Sequence, residues 1–163
     1  LSITEDQYLE MIEKKTGSLL GACAALSATL VGAEQEVINY FDQFGRALGN
    51  GFQIHDDLLE IYGNPNEMGK SLGSDIAEGK QTMMVIKARN LFGKEWGEII
   101  GDPNRIDFMD KIRSFFTENG IENETKGLAQ TYFDLARNSL EKIDGINCSE
   151  LFDFVNLVET RSY

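Results

Sequence analysis

The sequence predicts an all-α fold, an antiparallel bundle of helices with short connections. Three observations carry this reading. Apolar residues recur at helical spacing over long runs: Phe41, Phe44, Leu48, Phe52, Leu58, Leu59 and Tyr62, then Leu128, Tyr132, Leu135, Ala136 and Leu140. Only two prolines stand among the 163 residues to break a helix. No segment convincingly alternates apolar and polar residues as a strand would.

The elements follow in order. Ser2 or Thr4 caps a first helix running to about Leu30, with Glu5 and Asp6 suited to its positive end. Tyr8, Met11, Ile12, Leu19 and Leu20 form its early apolar face. A strip of small side chains from Gly17 onwards admits close approach by another helix or by a slender ligand, helix packing being the plainer use. Gly32 ends this helix, and Glu34 to about Tyr62 forms a second one, interrupted by Gly45, Gly49 and Gly51. Glycines inside a helix point to a close neighbour, a ligand or a kink. A lid-like loop spans Gly63 to Ser74, and helix resumes from Asp75 to Leu91. Phe92–Gly97 and Gly101–Asn104 read as turns around a short segment at Glu98. Further helices are expected near Ile106–Glu118, Glu124–Ile143 and Ser149–Thr160.

The formal charge of −12 argues against a nucleic-acid surface and against a polybasic membrane patch. The apolar run from Leu19 to Val31 is too short to span a bilayer and reads as a core helix, so no stable membrane anchor is expected. Cys23 and Cys148 lack metal-ligand spacing; Cys23 is expected to be buried, and a reducing cytoplasm is the default location. His55, the only histidine, lies off the acidic face and reads as a satisfied structural side chain.

The chemistry concentrates at Asp56, Asp57 and Glu60. On a helix, Gln53, Asp56 and Glu60 lie three and four residues apart and share a face. Acids on one face repel, and a hard cation such as Mg²⁺ relieves the repulsion. It takes one or two carboxylates and fills its shell with water and substrate phosphate oxygens. The stretch 63–82 then brings Lys70, Lys80 and four glycines, point charges and close-approach backbone for phosphate. A solvated acidic helix followed by a surface loop is the plain alternative. The ordered series of glutamine, acids, Gly-Lys, Asp75 and Lys80 favours a Mg²⁺–diphosphate site. Lys14 and Lys15 are either solvated surface or a phosphate hold at the mouth of an apolar channel. Asp107 and Asp110 have no phosphate-binding loop behind them and read as a solvated first turn.

The run Phe52-Gln-x-x-Asp-Asp-x-x-Glu60, with Gly69-Lys70, Gly73-x-Asp75 and Glu78-Gly-Lys80-x-Thr82, resembles the second aspartate-rich region of trans-isoprenyl diphosphate synthases, the polyprenyl synthetase family. Tyr8-x-x-Met-Ile-x-x-Lys15-Thr16-Gly17-x-Leu-Leu resembles the same family's Lys-Thr segment. The resemblance implies a helical bundle of the isoprenoid synthase type that joins isopentenyl diphosphate to an allylic diphosphate with Mg²⁺. By carry-over, Asp56 ligates metal, Asp57 and Glu60 assist, and Asp75 organises lid and metal waters. Lys15, Lys70 and Lys80 hold the diphosphate, and Thr16 and Gln53 stabilise positive charge at the allylic carbon. A homodimer is implied as well.

Two departures stand out. Glu60 replaces the family's usual aspartate and reaches one methylene further. The first aspartate-rich motif, with its paired arginines, has no counterpart here. Residues 1–163 are therefore expected to be the C-terminal part of a single, incomplete isoprenoid synthase domain, inactive alone. The expected partner is a second copy or the missing N-terminal half, with Tyr8, Met11, Ile12 and the Leu19–Leu30 strip laid bare. A class I terpene cyclase shares the metal logic, but the lysine pattern favours the synthase. A non-catalytic regulatory subunit of such a synthase need not keep lysines and acids together.

Overall fold

The computed structural model describes residues 2–63 and 74–161, and every regular element among them is helical. Helix α1, Glu5–Ile12, opens on a reciprocal cap. Thr4 Oγ1 accepts the Gln7 N–H at 3.2 Å, and Gln7 Oε1 accepts the Thr4 N–H at 3.0 Å. A π-helical turn, Glu13–Gly17, links it without a break to α2, Ser18–Leu30. The Gly32 N–H reaches Thr29 O and the Ala33 N–H reaches Ala28 O, closing α2 with Gly32 at φ 74°.

Helix α3, Gln35–Tyr62, runs unbroken for 28 residues. Of the three uses expected for its glycines, a close neighbour is the one observed. Gly45, Gly49 and Gly51 stay helical because neighbours occupy the space a side chain would need. A Cβ on Gly49 would lie 2.8 Å from Gly17 Cα, one on Gly51 2.9 Å from Phe133, and one on Gly45 against Leu20 O. These pairings also set direction. Gly45 meets Leu20 and Gly21, Gly49 meets Gly17, and Gln53 meets Thr16. Numbers rise along α3 as they fall along α2, so the two helices are antiparallel.

Beyond the undescribed residues 64–73 come α4, Ser74–Ala77, and α5, Met83–Ile100. The single helix expected from Asp75 is thus divided. Gly79, at φ 78°, ends α4 by sending its N–H to Ile76 O and that of Lys80 to Asp75 O, and Thr82 caps α5. The turn expected at Phe92–Gly97 is instead helix, kinked at Phe92. Aromatic burial holds it: Trp96 stacks on Phe116 at 5.3 Å, and Phe92 meets Phe115 edge-on at 5.5 Å. Helices α6, Phe108–Glu118, α7, Ile121–Glu141, and α8, Ser149–Glu159, complete the described chain.

The described residues gather into two units, 2–8 with 56–63 and 74–127, and 9–55 with 128–161. The first encloses Leu58, Ile61, Met84, Trp96, Ile112 and Phe116. The buried residues of the second include Ile12, Phe44, Leu48, Phe133, Ala136 and Leu140. Tyr8 and Ile12 are buried rather than bare. Cys23, expected inside, is exposed. The face of α2 packed on α3 is the small one, through Gly17 and Gly21, which leaves Cys23 outside with Leu19, Leu26 and Leu30.

Candidate active site

Two polar clusters lie on the residues singled out in the sequence. The first belongs to the first unit. Asp57, only 2% exposed, accepts the Tyr8 hydroxyl on Oδ2 at 2.7 Å and the Lys80 ammonium on Oδ1 at 3.2 Å. Lys80 also bonds Asp75 Oδ2, and the Asp75 N–H donates to Glu60 Oε1 at 3.3 Å. The cap at Gly79 explains the arrangement. It turns the chain so that Lys80 folds back over Asp75, at the start of the same short helix. Asp57, Glu60, Asp75 and Lys80 are therefore brought together, with Asp56 half-exposed on the same helix. Lys70, with Gly69 and Gly73, falls outside the described residues.

Burial pushes the Asp57 carboxyl above its ordinary value, and the Lys80 charge with the Tyr8 hydrogen bond pulls it only part of the way back. For Lys80 burial works downward, but the hydrogen bond to Asp75 and the charges of Asp57 and Asp75 outweigh it and raise the ammonium. Lys80 is a cation clamped between two carboxylates.

The second cluster lies in the second unit. Thr16 Oγ1 donates to Gln53 Oε1 at 3.4 Å, and Gln53 is buried. Thr16 and the exposed Lys15 sit on the π-helical turn, a widening common at functional sites. Glu13 pins that turn to α3, taking Arg46 on Oε1 and the Asn50 amide on Oε2 at 2.8 Å. Lys14 makes the ordinary surface pair, with Glu10.

His55 is the satisfied structural side chain expected. Its Nε2 lies 3.0 Å from Arg161 O and its ring meets Phe133 edge-on. Asp107 behaves as a solvated turn residue: Arg105, 2.6 Å away, holds its carboxyl below the ordinary range. Sequence reading placed Tyr8 on an apolar face and in the family segment but missed its hydroxyl contact, and it missed the Glu13–Arg46–Asn50 set. A tyrosine in an apolar stripe is itself a signal, because its buried hydroxyl needs a partner.

Among the described residues no three His, Cys, Asp or Glu side chains gather as a complete metal-binding group. Asp56, Asp57 and Glu60 still offer hard oxygen donors from one helix face and its edge. That suits Mg²⁺, which takes one or two protein carboxylates and leaves its other positions to water and phosphate.

The sequence profile described as Polyprenyl synthetase matches residues 1–114. A short chain isoprenyl diphosphate synthase of Methanothermobacter thermautotrophicus is 46% identical over 163 residues, covering 95% of this chain and 50% of the relative. Among solved structures, a decaprenyl diphosphate synthase from Rhodobacter capsulatus superposes with TM-score 0.84 at 31% identity, over 99% of this chain and 51% of that one. A geranylgeranyl pyrophosphate synthase from Corynebacterium glutamicum, complexed with calcium and isoprenyl diphosphate, gives 0.80 at 25% identity, over 96% and 50%. The chain spans about half the length of the curated relatives it matches.

Proposed function

Because the chain belongs to the polyprenyl synthetase family, we propose that it is the C-terminal part of a prenyltransferase. The reaction joins isopentenyl diphosphate to an allylic diphosphate, releases diphosphate and a proton, and gives a longer prenyl diphosphate. The observation that carries this reading is the cluster of Asp57, Glu60, Asp75 and Lys80: two buried acids and a half-buried one beside a cation held by two of them. Such a set suits a site where a metal-bound diphosphate departs.

Asp56 would hold Mg²⁺, with Asp57 and Glu60 assisting and Asp75 ordering the polar surroundings. When bound, Mg²⁺ supplies the charge that stabilises the departing diphosphate. Lys80 would add positive charge to its phosphates, and Lys15 and Lys70 are given diphosphate-holding roles by the family resemblance alone. Thr16 and Gln53 present oxygen atoms that stabilise positive charge at the allylic carbon. Glu60 carries one methylene more than aspartate, so its carboxylate would extend further toward such an ion. Among the described residues no helix is long and apolar enough to cross a membrane, and we place the enzyme in the cytoplasm as a homodimer.

The test is complementation. The chain is co-expressed with the N-terminal half of the Methanothermobacter relative and given labelled isopentenyl diphosphate, an allylic diphosphate and Mg²⁺. Longer prenyl diphosphates are expected from the pair, and none from this chain alone or with a chelator. Robust turnover by the chain alone would sink the fragment reading. A folded pair without product would count against the prenyltransferase.

A further inference from the structure

We propose that Tyr8 is a positioning residue that acts on Lys80 through Asp57. The geometry is a relay of named contacts in one unit. The Tyr8 hydroxyl donates to Asp57 Oδ2 at 2.7 Å, across 49 residues of sequence. The other oxygen of the same carboxylate accepts Lys80 at 3.2 Å, and Lys80 reaches on to Asp75. Tyr8 is 1% exposed and Asp57 2% exposed, so solvent has little access to the hydrogen bond between them.

Each contact constrains the next. A carboxylate held at one oxygen by a rigid phenol cannot swing about its Cβ–Cγ bond. Its second oxygen is then aimed in one direction, where Lys80 Nζ sits. A lysine side chain has four rotatable bonds and about 2 kcal/mol of rotamer entropy to lose when it is fixed. Here two acids hold it, and one of them is itself locked. The role of Asp57 thereby shifts. With both oxygens engaged inside the protein, it serves first to place a cation and only second to assist a metal. Asp56, one residue earlier and half-exposed, keeps the direct ligand role.

The consequence for turnover rests on the proposed prenyltransferase; the contact relay does not. Two experiments separate them. In the chain as it stands, side-chain nitrogen NMR detects lysine ammonium groups whose protons exchange slowly, and the Lys80 signal is assigned by its loss in Lys80→Gln. Wild type should show a restrained Lys80 ammonium. Tyr8→Phe, which removes one oxygen and keeps the ring, should lose that signal while backbone amides away from the cluster stay in place. In the complemented enzyme, Tyr8→Phe should lower kcat by about tenfold, the scale set for outer-shell partners of a site. In a Lys80→Gln background the same change should do almost nothing, because its target is gone. A Lys80 signal that persists in Tyr8→Phe would overturn the proposal, as would an undiminished effect in the Lys80→Gln background. If the Lys80 signal behaves as expected but wild-type complemented enzyme makes no product, the relay stands and the prenyltransferase reading falls.

Discussion

Asp56 and Asp110 are both acids near the start of an Asp-containing stretch, yet only Asp56 adjoins a buried cluster with a fixed lysine. In the complemented enzyme, Asp56→Ala should cut turnover on the order of a hundredfold, while Asp110→Ala should leave it nearly intact. Comparable losses would mean that the wrong acids have been chosen. Glu122 provides a second test, in stability. Burial works to raise its carboxyl, but Lys126 and Thr117 bond to it and the net value lies below the ordinary one. The unfolded chain then has the higher pKa. The stabilisation is complete above that value and fades as pH falls through the depressed folded one. Urea midpoints followed with pH should show Glu122→Gln weaker than wild type at neutral pH, the gap closing in acid. A constant gap would show that the carboxylate charge is not the cause.

The helices differ in what their glycines do. A Cβ on Gly45 would collide with the backbone of α2, which cannot move aside as a flexible side chain can. Gly45→Ala should cost ~2 kcal/mol or more in a denaturant titration. Gly97 lies inside α5 with nothing within 4 Å of its would-be Cβ. Gly97→Ala should stabilise by ~0.5–1 kcal/mol. The same contrast explains how far the elements were legible. Periodicity finds α3 and α7 because their stripes are long. It does not say which of two apolar faces packs inward on α2. Hydropathy favours the leucine face, while close helix approach selects the small one and leaves Cys23 outside. The split after α4 was also obscured. Gly79 is a helix stop only because its φ is positive, and a glycine beside a lysine reads equally well as loop.

At the scale of the molecule, charge and apolar surface oppose each other. Leu19, Leu26 and Leu30 are 65%, 58% and 78% exposed on one face of α2. At about 25 cal/mol per Å², a patch of roughly 300 Å² corresponds to ~7 kcal/mol before the cost of association. Two copies each carrying −12 repel one another, and salt screens that repulsion. Sedimentation should show self-association that strengthens with ionic strength and disappears in Leu26→Glu. A monodisperse monomer at high salt would count against it. The candidate site was legible in its acids and in Lys80, because those residues stand in order along a short span. Tyr8 was not, since its partner lies 49 residues away and periodicity counts its ring as apolar and ignores its hydroxyl.

Trp96 is the only tryptophan, and its indole is shut in against Phe115 and Phe116. Emission excited at the red edge, where tyrosine does not absorb, is therefore a signal from one unit alone. Cys148 is buried in the other, where burial also pushes its thiol up. With the exposed Cys23 replaced by serine, reaction of Cys148 with a thiol reagent marks the opening of that second region. A denaturant series followed by both fluorescence and thiol labelling reports whether the two units melt as one cooperative body or in succession.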